Sequence, residues 1–130
     1  LDRMAGASYP TEWLADCLRG QGLTTLERAV AHMTDVPARY FGLVGRGRIT
    51  KGFHADLVVF NPDTIGATEL RLHHDLPGES HRLYAGAKGI HKVFINGVLA
   101  VDGGEATAAR PGVVLRSGTH TETVPIPADA

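Results

Sequence analysis

The sequence predicts an α+β fold, with helices filling the first third and short strands following them. Three observations carry this reading. Apolar residues recur at helical spacing between Pro10 and Met33. Beyond Gly42, glycines at 45, 47 and 52 punctuate short β-branched runs. Asn96-Gly97 then lies between two such runs, a two-residue hairpin signal because both turn positions need positive φ. The change of pattern near Leu43 divides the chain into a helical segment, residues 1–42, and a β-rich segment, residues 43–116. A Thr- and Pro-rich tail, residues 117–130, is expected to be extended or disordered.

The elements follow in order. Leu1 to Ser8 lack periodicity and read as a loop. Pro10 suits a first helical position, where a missing N–H is harmless. Trp13, Leu14, Cys17 and Leu18 repeat at helical spacing until Gly20 and Gly22, so a helix is expected over Pro10–Arg19. Thr24 and Glu27 have the spacing of a capping box. Leu26, Ala29, Val30 and Met33 form one apolar stripe behind it. Pro37 can start a short helix through Phe41, with Gly42 as its cap. Strands are expected at Leu57–Phe60, Ile90–Ile95, Val98–Val101 and Val113–Leu115. Residues 61–89 show weak periodicity and read as a long excursion.

Composition removes several function classes. The 130 residues carry 13 basic and 14 acidic side chains, so no cationic patch marks a nucleic acid or an anionic membrane as partner. No apolar run reaches the length of a membrane span, and no secretory signal is visible. The single Cys17 has no internal disulfide partner and suits a reducing compartment. A cytoplasmic protein is expected.

Three stretches together resemble one family. Leu26-Glu27-Arg28-Ala29-Val30 runs into Pro37-Ala38-Arg39-Tyr40-Phe41-Gly42-Leu43. Arg46-Gly47-Arg48-Ile49 leads into Gly52-Phe53-His54-Ala55-Asp56-Leu57-Val58-Val59-Phe60, similar to the G-x-x-A-D-L-V-V segment near the C-terminus of amidohydrolases. His74-Asp75-Leu76-Pro77-Gly78, Val93-Phe94-Ile95-Asn96-Gly97 and Arg110-Pro111-Gly112-Val113-Val114-Leu115-Arg116 resemble the D-aminoacylase branch, the N-acyl-D-amino-acid deacylases.

The resemblance implies the last helices of a (β/α)8 barrel followed by the C-terminal half of a small β-sandwich. It implies zinc or another divalent metal in the complete enzyme, where the metal polarises the acyl carbonyl and an Asp moves a proton. The family's ligands and that Asp precede the region matched here, so catalytic and metal residues are both expected to be absent from this chain. The chain begins at Leu1 rather than Met, and the expectation is that it starts just after that Asp. Leu1, Asp2, Arg3 and Met4 would then edge the substrate pocket. The implied partners are the N-terminal segment of the same enzyme, which would complete the sheet, and a small-molecule substrate. Self-association would be another way to cover an open sheet. Gly52, Ala55, Asp56, Asn96 and Gly97 are expected to be structural.

Residue by residue, quieter readings stand beside sharper ones. His73 and His74 are adjacent and lack the spacing of a zinc helix, so a surface or core role is preferred over ligation. Asp56 enters an apolar strand after a turn, where a short acceptor can bind backbone amides, and this is preferred over catalysis. Cys17 on a helical stripe reads as a small hydrophobe. Two further functions remain open. One is another amidohydrolase branch of the hydantoinase or dihydroorotase type; the other is a self-sufficient, non-catalytic β-rich binding module.

Overall fold

A computed structural model describes residues 8–125. Helices α1 (Tyr9–Ala15), α2 (Leu26–Met33) and α3 (Asp35–Tyr40) come first, followed by eight strands among the described residues. These are β1 (Leu57–Phe60), β2 (Gly66–Ala67), β3 (Arg71–His73), β4 (Arg82–Tyr84), β5 (Ala87–Lys88), β6 (Ile90–Ile95), β7 (Val98–Asp102) and β8 (Glu105–Ala106). The mixed helix-and-strand class read from the sequence is the one observed. Two compact units share these elements: among the described residues, one holds 8–29 together with Val59–His91, the other Val30–Val58 and 92–125.

In the first unit, α1 starts as its Pro10 demands, and Thr11 Oγ1 donates to Ser8 O (3.0 Å) to close the first turn. The expected apolar face is present, with Leu14 and Cys17 buried and Trp13 and Leu18 half-buried. Its last turn, Asp16–Gly20, widens to a π-helix, and Gly22 at φ +59° ends it. Arg19 leaves this turn to donate to the Pro62 and Ile65 carbonyls. Trp13 Nε1 donates to Ala29 O (3.3 Å), and Ile65, 1% exposed, completes the core with Ala29. Gly89 is required beside it: at φ +76° a Cβ would lie 2.6 Å from Ile65 N.

In place of the capping box expected from Thr24 and Glu27, Thr25 supplies the cap. α2 begins at Leu26, and Thr25 Oγ1 accepts from the Arg28 amide (3.4 Å). Two adjacent threonines are chemically equivalent caps, so the pattern alone could not choose between them. Glu27 still holds its carboxyl below the ordinary range, first through its own backbone amide and then through Thr25. The stripe is as expected: Ala29 is buried, Leu26, Val30 and Met33 are half-buried, and Glu27, Arg28 and His32 face out.

In the second unit, α3 starts at Asp35, two residues before Pro37. Proline is tolerated in the first turn because those amides have no intrahelical partner. Gly42 caps it at φ +63°. The Gly42 carbonyl accepts from the Glu122 amide (2.8 Å), Val44 N–H donates to His120 O (3.0 Å), and Leu43 bridges Thr121. Residues 117–125 thus follow a defined path.

The main sheet has the order β1-β6-β7-β8, and its β6–β7 and β7–β8 pairs are antiparallel. The Asn96-Gly97 hairpin forms as expected, with φ +49° and +81°, and pairs Ile95 with Val98. A bulge between Val93 and Phe94 shifts the register. Gly103-Gly104, at φ +59° and +91°, turns the chain into β8.

Residues 61–89 are more ordered than their periodicity suggested. β2 pairs with β5 and β3 with β4 as two small antiparallel ladders. Strands of two or three residues are too short to print an alternating pattern. The strand expected at Val113–Leu115 has no ladder among the described residues. It is exposed, Val114 at 77%.

Candidate functional site

The densest polar constellation of the second unit is built where β1 begins and the β6–β7 hairpin turns. Ala55 and Asp56 precede β1; Asn96 and Gly97 form the turn. Gly97 N–H donates to Ala55 O (2.9 Å), and Asn96 N–H donates to Asp56 Oδ1 (2.8 Å). Arg46 donates to Asp56 Oδ2 through Nη1 and to Asn96 Oδ1 through Nη2 (3.0 Å). Asn96 Nδ2 donates onward to Pro111 O (2.8 Å). The Arg46 side chain is only 13% exposed, against 35% for Asp56, so this ion pair is partly desolvated. Asn96 uses its left-handed backbone and both ends of its amide at once.

Sequence reasoning reached Ala55, Asp56, Asn96 and Gly97, and the fold brings those four together. Gly52 stands apart in the preceding turn at φ +91°, with open space around it. Arg46 and Pro111 were missed. Their connection spans fifty residues of chain from Arg46 to Asn96, and no local pattern encodes it. Leu1, Asp2, Arg3 and Met4 lie outside the described residues.

What the constellation can do chemically is limited. Both oxygens of Asp56 and both polar ends of Asn96 are engaged by protein groups. A cleft of the same unit, lined by residues such as Leu43, Val44, Phe53 and Val124, holds Arg39 and Glu122 but no His or Cys. Arg39 is already paired with Asp35 (3.0 Å), whose carboxyl lies below the ordinary range, chiefly through the hydrogen bond from Arg48. Cys17 is buried, and that burial, with Asp16 beside it, pushes its thiol up and away from the reactive thiolate. Among the described residues no three His, Cys, Asp or Glu side chains are grouped to hold a metal ion. The residues described therefore do not fit a catalytic metal centre of the usual ligand number. No helix among the described residues is long and apolar enough to cross a membrane.

With fold and site in view, comparison with known proteins gives the class. The amidohydrolase family model matches residues 2–101, and the chain belongs to that family. Within it, the relatives are deacylases of D-amino-acid derivatives. The chain is 35% identical over 116 residues to N-acyl-D-aspartate deacylase of Alcaligenes xylosoxydans xylosoxydans, covering 85% of this chain and 22% of that protein. It is 42% identical over 106 residues to the N-acyl-D-glutamate deacylase of the same organism, covering 82% and 20%. With its D-aminoacylase the identity is 46% over 79 residues, covering 61% and 14%. A D-aminoacylase mutant in complex with copper chloride superimposes with a TM-score of 0.66 at 34% identity, covering 82% of this chain and 20% of that one. A second D-aminoacylase, in a study of its binuclear metal centre, gives 0.61 at 34% identity, covering 77% and 19%. The chain thus spans 14–22% of the length of these curated relatives.

Proposed function

We propose that this chain is the C-terminal portion of a cytoplasmic, metal-dependent hydrolase that cleaves the amide bond of N-acyl-D-amino acids. Within that enzyme its part is structural. Helices up to Gly42 would close the barrel, and residues 43–116 would supply half of the β-sandwich. The observation that carries this is the family match over residues 2–101, joined to deacylase relatives at 35–46% identity. The polar node around Asp56 supports a structural role, because its donors and acceptors are spent on the protein itself. A zinc or other divalent ion would be held by side chains outside this chain, and Leu1–Met4 would edge the acyl pocket.

The test is an activity comparison. The complete gene product and the 130-residue chain would be incubated with N-acetyl-D-aspartate, N-acetyl-D-glutamate, N-acetyl-D-methionine and their L enantiomers, and amine release followed. Hydrolysis of D but not L substrates is expected of the complete protein alone. Turnover by the isolated chain, or D-substrates untouched by the complete one, would overturn the proposal.

A further inference from the structure

The β3–β4 hairpin of the first unit carries chemistry that the deacylase reading does not use. Its register pairs Arg71 with Tyr84, Leu72 with Leu83 and His73 with Arg82. Continued by one step, the same register sets His74 opposite His81. Opposed residues of an antiparallel pair share a face, with side chains close enough to touch. The two imidazoles do meet: their centroids are 5.4 Å apart and their planes tilted by 49°. Both residues are exposed.

That separation has a specific meaning. A metal–nitrogen bond of about 2.0–2.1 Å plus about 1.1 Å from ring nitrogen to ring centre puts each centroid roughly 3.2 Å from a shared ion. Two such arms at 90–115° place the centroids about 4.5–5.4 Å apart, so the observed spacing matches the wide, tetrahedral end, and a small closing of the two exposed rings reaches the tetragonal angle of copper(II). The neighbouring position fixes the geometry. Asp75 and Arg82, the residues following each His, form a two-pronged ion pair, Nε to Oδ1 at 2.9 Å and Nη2 to Oδ2 at 2.6 Å. This clamp ties the two strands together beside the His pair. It also offsets the Arg82 charge that would otherwise repel a cation. Arg82 is steadied from the other side by Tyr84, whose ring centre lies 5.0 Å from its Cζ.

We propose that His74 and His81 form a two-imidazole chelate for a divalent first-row transition ion, with copper(II) bound most strongly. Imidazole pairs favour copper over zinc, following the general order of divalent affinities. The remaining coordination positions are filled by water. Only neutral imidazole ligates, so the ion competes with protons for the pair.

Copper chloride titrated into the 130-residue chain at pH 7.5, followed by calorimetry and electron paramagnetic resonance, tests this. One equivalent is expected at the hairpin, with a spectrum of two nitrogen ligands from imidazole. His74→Ala and His81→Ala should each weaken binding at least about tenfold, because the second imidazole acts at high effective concentration. His91→Ala, exposed on β6, should leave it unchanged. Paramagnetic broadening of backbone amides on the parent chain locates the ion without any variant, and should centre on residues 73–75 and 80–82. Affinity unchanged from the parent chain in both alanine variants, or broadening confined to the chain's amino terminus, would overturn the proposal. Neither result would bear on the deacylase assignment.

Discussion

Asn96 concentrates more structural demand than any neighbour in its hairpin. Its backbone sits at φ +49°, its amide N–H binds Asp56, and its side chain joins Arg46 to Pro111. Two variants separate these roles. Asn96→Gly keeps the backbone freedom and loses the side-chain bonds, so a loss of about 1 kcal/mol is expected. Asn96→Val loses the bonds and adds left-handed strain of roughly 1–2 kcal/mol, so it should melt lower still. Coincident thermal melts for parent and Val variant would refute this account of the turn.

Asp35 gives a pH prediction at the same scale. The Arg48 hydrogen bond, with Arg39 adding to it, holds the carboxyl below its usual value in the folded chain. A depressed folded pKa means that protons bind the unfolded state more readily. The contribution is therefore complete above the unfolded value near about 3.9 and disappears as pH falls through the lower folded value. Asp35→Asn should flatten the acid limb of a melting-temperature profile below about pH 4 and leave the profile's slope near neutrality unchanged. An unaltered acid limb would remove Asp35 from the account.

Among the elements, the join between the end of α3 and the segment near Glu122 depends on one missing side chain. A Cβ on Gly42 would lie 2.0 Å from Glu122 O, and φ is +63°. Gly42→Ala must displace the 121–124 segment or untwist the helix cap, at a loss of about 2 kcal/mol or more. Hydrogen exchange should reveal where the strain goes. The Val44 and Glu122 amides, which donate to His120 O and Gly42 O, should lose protection first. Unchanged protection at both would mean the segment accommodates the methyl freely.

Val113–Leu115 is the opposite kind of element: β-prone but unpaired. Its flanks are fixed, Pro111 O by Asn96 and the Arg116 amide by His120 Nδ1 (2.9 Å). Between those anchors Val113 and Val114 are 60% and 77% exposed. β-propensity in these residues describes fitness for a half-buried pleated surface, and the described chain offers none at that place.

At the scale of the whole molecule, apolar surface outweighs apolar core. Among the described residues Leu14, Cys17, Ala29, Ala38 and Ile65 are the buried apolar side chains, whereas Tyr40, Phe41, Ile49, Val58 and Val114 are all more than half exposed. β1 lies at one edge of its sheet with Val58 and Val59 uncovered. Edges of this composition pair readily with other chains. The isolated chain is therefore expected to associate, its light-scattering mass rising with concentration, and Val58→Lys on that edge should lower the association. A monodisperse monomer with one cooperative melt would instead favour a self-sufficient β-rich module.

The sequence by itself determined what depends on short range. Helical spacing placed Trp13, Leu14, Cys17 and Leu18 on one face, and the positive-φ requirement of a two-residue turn located Asn96-Gly97. The family was also legible, and the family model matches residues 2–101, which include the Gly52–Phe60 run. Choices of equal local energy were left to the tertiary structure: Thr25 over Thr24 as cap, Asp35 over Pro37 as helix start, and Val113–Leu115 without a ladder among the described residues. Tertiary structure alone also joined Arg46 to Asp56, Asn96 and Pro111, set Arg19 against the Pro62 and Ile65 carbonyls, and brought His74 to His81. The physical reason is one of distance along the chain. Spacing rules describe neighbours three or four residues apart, whereas a guanidinium selects its acceptors only after remote segments have been folded into reach.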